Sequence, residues 1–364
     1  MKKLRKNKRY VAKHQRVLSK PRLFQDPDAW FRRPWGKYLV SLLATLVAEA
    51  ALALFLLYGP IAFFRDTLIT SAMSTLSHKY YATTFYSEET IQKVLAKHKV
   101  TNLTTKTETD AIDTGERKDD INLKRITGRG YVGYVLEISN PAWVRLGIPS
   151  NFGTKGQKIP LLIEDYNAIA GINGGGFDDP SGWGNGGAAI GTVIIDGVMI
   201  QETWQTSSNI IGFNEDDVLV LGTYSKEEVK DLNLRDACEF YPFLIINGEP
   251  ADIKGDGGWG IAPRTAIGQR KDGTVVFVVI DGRQLSSAGA TIKQLQQVMI
   301  DEDCYNAANL DGGSSTVLYH VDEGGVVNSP SGSDRDGMRF LPNAWLVIDP
   351  EGYEPPQDRP PYDN

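Results

Sequence analysis

Three glycine-rich stretches carry the residues whose types and spacing could do chemistry. The first opens at Gly171 with GINGGGF, and nine of the 21 residues from Gly171 to Gly191 are glycine. Such density means tight turns or backbone brought close to a ligand. Asn173, Gly174 and Gly175 directly follow an apolar run and suit a ligand-facing turn, whereas a flexible surface loop accounts equally well for 182–187. Gly182, Gly184 and Gly187 spell GxGxxG, but no strand precedes them and a strand rather than a helix follows, so the dinucleotide reading fails on context. The second stretch, APRTAIG, puts Arg264 at the mouth of a strand. A guanidinium there can hold a phosphate or carboxylate through two parallel hydrogen bonds, and a surface ion pair is the even alternative. The third, ANLDGGSST, sets Asn309, Asp311, Gly312, Gly313 and Ser314 at the end of an apolar strand. Strand ends are where sites commonly form, although an Asx turn would use the same aspartate. Asp281 and Arg283 repeat the arrangement, a carboxylate and a guanidinium where a strand stops.

Other catalytic schemes are thinner. His320 is the only histidine after residue 98, so a Ser–His–Asp triad would need it with Ser314 or Ser315; it reads better as a strand-end surface residue. There is no HExxH and no Cys/His spacing for zinc, so no metal ligands and no cofactor are expected. Calcium stays open, because oxygen ligands leave a faint signature and Asp334-Arg-Asp336-Gly is only a fragment of a calcium loop. Cys238 and Cys304 are too few for a disulfide framework and read as a single bridge or as two buried thiols.

The elements that must position these residues are short. Val193–Ile195, Phe243–Ile246, Val275–Ile280 and Thr316–Tyr319 read as strands, with Asp196-Gly197, Asn247-Gly248 and Asp272-Gly273 as hairpin turns. Thr291 and Gln294 form a capping box before an apolar stripe at Ile292, Leu295, Val298 and Met299. The expected class is α+β, a mixed β-sheet domain with packed helices over 126–349, preceded by a single transmembrane helix. No period of 20–50 residues argues for a solenoid. Residues 65–125 read as a stalk or linker with a short helix capped by Ser87, and its His78 and His98 as solvated. The end, 350–364, is acidic and Pro-rich.

Ahead of the stalk, 38–64 holds Glu49 as its sole charge and is long enough to cross a bilayer. Residues 1–37 contain 13 Lys and Arg against two acids, while the remainder carries 26 against 43. The positive-inside rule then puts 1–37 in the cytoplasm and the domain outside the cell, at the cell membrane as a single-pass protein. The negative body argues against nucleic acid as a partner.

Taken together, Ile172-Asn-Gly-Gly-Gly-Phe, Tyr241-Pro-Phe-Leu-Ile, Pro263-Arg-Thr-Ala-Ile-Gly, Ile280-Asp-Gly-Arg, Gly289-Ala-Thr-Ile and Asn309-Leu-Asp-Gly-Gly-Ser-Ser resemble the phosphodiester glycosidase family. The segment from Ser329 and the run Arg339 to Asn343 look like its closing part. The resemblance covers about Leu161 to Ile348 and implies removal of a sugar from a sugar-1-phosphodiester on a cell-surface or envelope glycan. On that reading Arg264, with Arg283 or Arg339, grips the leaving phosphate, and Asp281 or Asp311 acts as base or nucleophile at C1. Asn173 and Asn309 orient sugar hydroxyls, with Gly174, Gly175, Gly312, Gly313, Ser314 and Asn343 around them. The rival reading is a non-catalytic phosphoglycan-binding or polysaccharide-assembly surface protein; phosphoryl transfer, cleaving P–O, is a third. The sugar and the oligomeric state stay open.

Overall fold

A computed structural model describes residues 34–75, 78–115, 118–178 and 185–348. Nearly all of the basic segment 1–37, Gly182 and Gly184 of the glycine run, and the tail 350–364 lie outside the described residues. The chain divides into two compact units, Met1–Ala62 and Phe63–Asn364.

The first unit contains helix α1, Pro34–Tyr58. Its Trp35–Tyr58 portion has a mean hydropathy of 2.3 and leaves most of its large apolar side chains exposed, as a lipid-facing helix would. At 1.5 Å per residue it is roughly 36 Å long, enough for a hydrocarbon core. The expected span ran on to Phe64, but the helix stops at Tyr58. Pro60 has no N–H to continue it and disfavours helical geometry at Gly59. Ala62 then starts a separate helix, α2, Ala62–Met73.

In the second unit three short helices follow in order: α3, Tyr80–Phe85; α4, Glu88–Leu95; and α5, Ile159–Asp165. Then come α6, Lys226–Asp231, and α7, Ile292–Asp301. The Ser87 cap forms, accepting from the Thr90 N–H. The Thr291–Gln294 capping box forms at α7. The α+β class holds, but the strands make three principal sheets rather than one mixed sheet, and every pairing recorded among the described residues is antiparallel. The reason is the turn chemistry. Asp196-Gly197 and Asn247-Gly248 both have positive φ at each residue, the type I′ geometry that joins antiparallel neighbours directly.

The seven-stranded sheet runs, edge to edge, Glu249–Pro250, Phe243–Ile246, Asn306–Asn309, Arg264–Gln269, Val275–Ile280, Tyr131–Ile138 and Ile121–Gly128. Its strand VVFVVI is apolar throughout because both faces are covered. Val275, Phe277 and Val279 enter a core shared with the other sheets, while Val276, Val278 and Ile280 pack against α7. Trp345 and Phe213, both fully buried, meet edge to face at 5.5 Å within that shared core. Cys238 and Cys304 are separate buried thiols, and burial pushes the first up to about 12.

Residues expected as a stalk contribute to this folded unit. Lys99–Val100 pairs with Ile253–Lys254, the Thr107 N–H donates to the Leu221 carbonyl at 3.0 Å, and the expected boundary at 126 falls inside Ile121–Gly128. The segment is polar on average but buries Ile69, Ala82, Ile91 and Val94, so its apolar residues form a docking face that composition alone hides. His98 is not solvated either: it lies between Asp256 at 3.0 Å and Asp66 at 3.4 Å.

Candidate active site

The register of three adjacent strands brings the motifs to one end of the seven-stranded sheet. Arg264, first in its strand, pairs with Ile280, last in the next, while Ala266 pairs with Asn309 on the other side. The chain therefore leaves toward Arg283 and toward Asp311 beside the point where Arg264 enters. There a cleft of about 540 Å³ is lined by Arg264, Arg283, Asp311, Ser314, Arg339 and the glycine pair Gly312 and Gly313. A carboxylate and three guanidiniums, far apart in sequence, thus share one cavity.

Each cation is held differently. Arg264 is buried, and its Nε donates to the Ala290 carbonyl at 3.0 Å. Its Nη2 donates to the carbonyls of Trp259 at 2.8 Å and Gly260 at 2.9 Å. Burial pushes the guanidinium down to about 10, with Asp256 opposing the shift and Arg283 adding to it; at neutral pH it stays charged. Arg264 is therefore a brace for a loop as well as a wall of the cleft, and the alternative, a surface ion pair, does not form among the described residues. Arg283 has a positive φ of 60° and donates from Nη1 to Ser314 Oγ at 2.9 Å. The residue as a whole is exposed, yet its guanidinium end lies among protein atoms, since a Cβ on Gly313 would stand 3.1 Å from Nη2. That crowding, and then the charge of Arg339, lower its pKa. Arg339 lies over the Phe177 ring at 4.7 Å. Asp311 accepts from the Gly312 N–H at 2.9 Å, and its own N–H donates to the Gly174 carbonyl.

Several expected site residues lie elsewhere. Asn173 is buried: its Oδ1 accepts from Thr265 Oγ1 at 2.8 Å and the Val317 N–H at 3.2 Å, and its Nδ2 donates to the Asp311 carbonyl at 2.6 Å. Asn309, also buried, donates to the Tyr241 carbonyl at 2.9 Å. Asn343 accepts from the Gly175 N–H at 2.7 Å. These three amides hold loops in place and do not line the cleft. A Cβ on Gly174 would run into Asn343 Oδ1, and one on Gly175 would stand 2.7 Å from the Glu239 carbonyl; the glycines there serve close backbone packing. Asp281 is buried outside the cleft, its Oδ1 accepting from the Ser329 N–H at 2.8 Å and Asn328 Nδ2 at 3.1 Å. Burial raises its pKa, with those two hydrogen bonds opposing. His320 is buried rather than at the surface, with Nδ1 lacking a hydrogen-bond partner. Asp334 and Asp336 both engage Lys158 at 2.8 Å, and no group of three His, Cys, Asp or Glu among the described residues is placed to hold a metal.

Sequence reasoning missed one wall. Leu68, Ser71 and Thr75, together with His78 and Tyr81, line the same cleft, as do Phe177 and Trp259. A helix some 190 residues from Arg264 in sequence carries no local mark of this role. The one available signal was the cluster of His78, Tyr80 and Tyr81, rings that a stalk does not need.

The phosphodiester glycosidase family matches over residues 166–348, half of the chain. A prophage-derived protein of Bacillus subtilis, YomE, is 30% identical over 180 residues, covering 46% of this chain and 27% of that one. The mouse N-acetylglucosamine-1-phosphodiester alpha-N-acetylglucosaminidase is 26% identical over 243 residues, 61% of this chain and 46% of the enzyme. The human enzyme is 28% identical over 181 residues, 45% and 35% respectively. The chain thus spans between about a quarter and a half of the curated relatives it matches. In fold it is similar to the catalytic domain of the zebrafish enzyme, auto-inhibited by its pro-peptide, with a TM-score of 0.55 at 21% identity over 68% of this chain and 89% of that one. The matched residues include the strands that converge on the cleft, with Arg264, Arg283, Asp311 and Arg339 among them, and on this match the chain belongs to the phosphodiester glycosidase family.

Proposed function

We propose that the protein hydrolyses a sugar-1-phosphodiester at the anomeric carbon. The observation that carries the reading is that, among the described residues, one carboxylate, Asp311, shares a cleft with Arg264, Arg283 and Arg339. Positive charge fixed before the reaction stabilises the negative charge that collects on phosphate as the C1–O bond breaks. A phosphomonoester leaves without a strong acid to protonate it, so one carboxylate suffices. Asp311 takes the proton of the water whose oxygen bonds to C1, or attacks C1 itself. With Asp281 engaged by Asn328 and Ser329 away from the cleft, we assign this step to Asp311 alone. A binding module would gain from the arginines and lose from a carboxylate facing an anion, which favours chemistry over mere retention.

The names of the mouse, bovine and human relatives make N-acetylglucosamine-1-phosphodiesters the first substrates to try. With α1 as an anchor and the basic segment cytoplasmic, the substrate would be a phosphodiester-linked glycan outside the cell, in the envelope. The test is Asp311→Asn in the full chain. Turnover of a sugar-1-phosphodiester should fall by a factor of about 10²–10³ or more, while affinity for a phosphodiester analogue is kept or improved. A variant that hydrolyses at the wild-type rate refutes the assignment.

A further inference from the structure

The carbonyls that hold Arg264 are themselves held by a segment outside the family match. Asp256 is where the two meet. Its Oδ2 accepts from Thr70 Oγ1 of α2 at 2.6 Å, and its Oδ1 lies 3.0 Å from His98 Nδ1. The same Oδ1 accepts from the Gly258 N–H at 2.8 Å. The next residue, Trp259, offers its carbonyl to Arg264 Nη2 at 2.8 Å and to Ser74 Oγ at 3.3 Å. On the far side of the imidazole, His98 Nε2 lies 3.4 Å from Asp66 Oδ2, again on α2. Gly260, whose carbonyl is the other acceptor of Nη2, has a φ of 61°, and a Cβ there would run into Ser71 Oγ. The path from Thr70 and His98 to the Arg264 guanidinium is continuous.

The residues of α2 divide accordingly. At helical spacing Asp66, Ile69 and Thr70 are buried on one side, while Leu68, Ser71 and Thr75 line the cleft from the other. Packing alone would be served by apolar residues at 66 and 70. A buried carboxylate and a buried hydroxyl instead cost desolvation, which is offset only where each has a partner in good geometry. A network of that kind fixes one arrangement of the groups it joins. Here it joins α2 and His98 to the loop that carries the Arg264 acceptors. Asp256 adds charge to geometry, since it opposes the desolvation of the Arg264 guanidinium.

We infer that Thr70 and His98 are positioning residues for Arg264, acting through Asp256 and the backbone of 256–260 to set where the guanidinium stands in the cleft. The inference rests on the proposed function for what Arg264 does there, which is to hold the phosphate. Neither Thr70 nor His98 lines the cleft, so their effect on a bound anion is indirect. Displacing a preorganised group by about 1 Å can cost about 10²-fold in rate, which is why the loop needs a holder. A segment that precedes every residue matched by the family thus takes a share in aligning the site.

The experiment uses the full chain in detergent, with Thr70→Val, Thr70→Ser and His98→Ala, each alone and combined with Arg264→Met. The probe is the phosphonate analogue of methyl N-acetylglucosamine-1-phosphate, its affinity read by calorimetry, with kcat/KM on the parent diester alongside. Valine keeps the methyl group and loses the hydroxyl; serine does the reverse. Thr70→Val and His98→Ala should each weaken the analogue about three- to thirtyfold, and Thr70→Ser should stay within about twofold of wild type. In the Arg264→Met background the same changes should add less than about twofold, because they act through the guanidinium that is gone. Losses that multiply in that background overturn the inference, as does wild-type affinity in Thr70→Val and His98→Ala. A loss in Thr70→Ser equal to that in Thr70→Val makes the site one of packing and overturns it too. Should Arg264→Met fail to fold, the valine and serine pair decides. If the wild type binds the analogue but turns over no diester, the reaction assignment fails and the affinity cycle still decides the inference. If it hydrolyses the diester and the cycle is additive, the inference fails and the assignment stands. A wild type that does not bind the analogue overturns the inference outright.

Discussion

Replacing Arg264 by lysine keeps a positive charge in the cleft and removes the fork. The guanidinium spans two directions, Nε to the Ala290 carbonyl and Nη2 to those of Trp259 and Gly260. A lysine ammonium is one atom and reaches one of these directions, so at least one buried carbonyl loses its partner. Each buried group left unpaired costs about 1–3 kcal/mol. For a unit of this size each kcal/mol lowers Tm by about 2–4 °C, so a loss near 2 kcal/mol is a drop of about 4–8 °C. Activity should fall by a factor of about 10²–10³ at temperatures where the variant is folded, because an ammonium cannot hold the carbonyls and also supply the Nη1 edge that Nε and Nη2 leave for phosphate. The assay pairs thermal unfolding by circular dichroism with initial rates on a sugar-1-phosphodiester well below Tm. A lowered Tm with an unchanged rate makes Arg264 a brace only. An unchanged Tm and rate refute both the bracing and the gripping arguments.

Asp281→Asn should retain activity above the level of Asp311→Asn, since Asp281 lies outside the cleft and an asparagine Oδ1 can still accept from Ser329 and Asn328. Burial raises the Asp281 pKa, so the folded state binds its proton more tightly than the unfolded state does. Its contribution to stability is therefore present at acid pH and is lost as pH rises from the ordinary carboxylate pKa through the raised one. Tm of the wild type relative to the variant should rise on acidification through that window, and a difference that is flat with pH would refute the assignment. In intact cells, added protease should remove the folded unit and leave the basic amino-terminal segment protected; the reverse pattern would overturn the orientation.

Local signals in the sequence were faithful where the physics is local. The type I′ turns at Asp196-Gly197 and Asn247-Gly248 require positive φ, and the capping box at Thr291 needs only a hydroxyl and an amide three residues apart. Arg264, Arg283 and Asp311 were legible as residues at strand ends, whereas Arg339 was marked only by the family resemblance. Whether a polar side chain faces a cleft or a neighbouring loop is not written in its spacing. Asn173, Asn309 and Asn343 sit in the right motifs, yet each is buried against backbone. The α2 wall was invisible for another reason. Thr70 reaches Asp256, 186 residues away, and Ile69 is buried in a segment whose composition reads as linker.

The central claim is cleavage of the C1–O bond, and oxygen-18 water tests it most directly. The full chain is incubated with a sugar-1-phosphodiester in labelled water, and the products are analysed by mass spectrometry before the sugar's anomeric oxygen exchanges with solvent. Cleavage at C1–O puts the label on the anomeric hydroxyl of the released sugar and leaves the phosphomonoester unlabelled. Label in the phosphate would mean that P–O is cut and would contradict it.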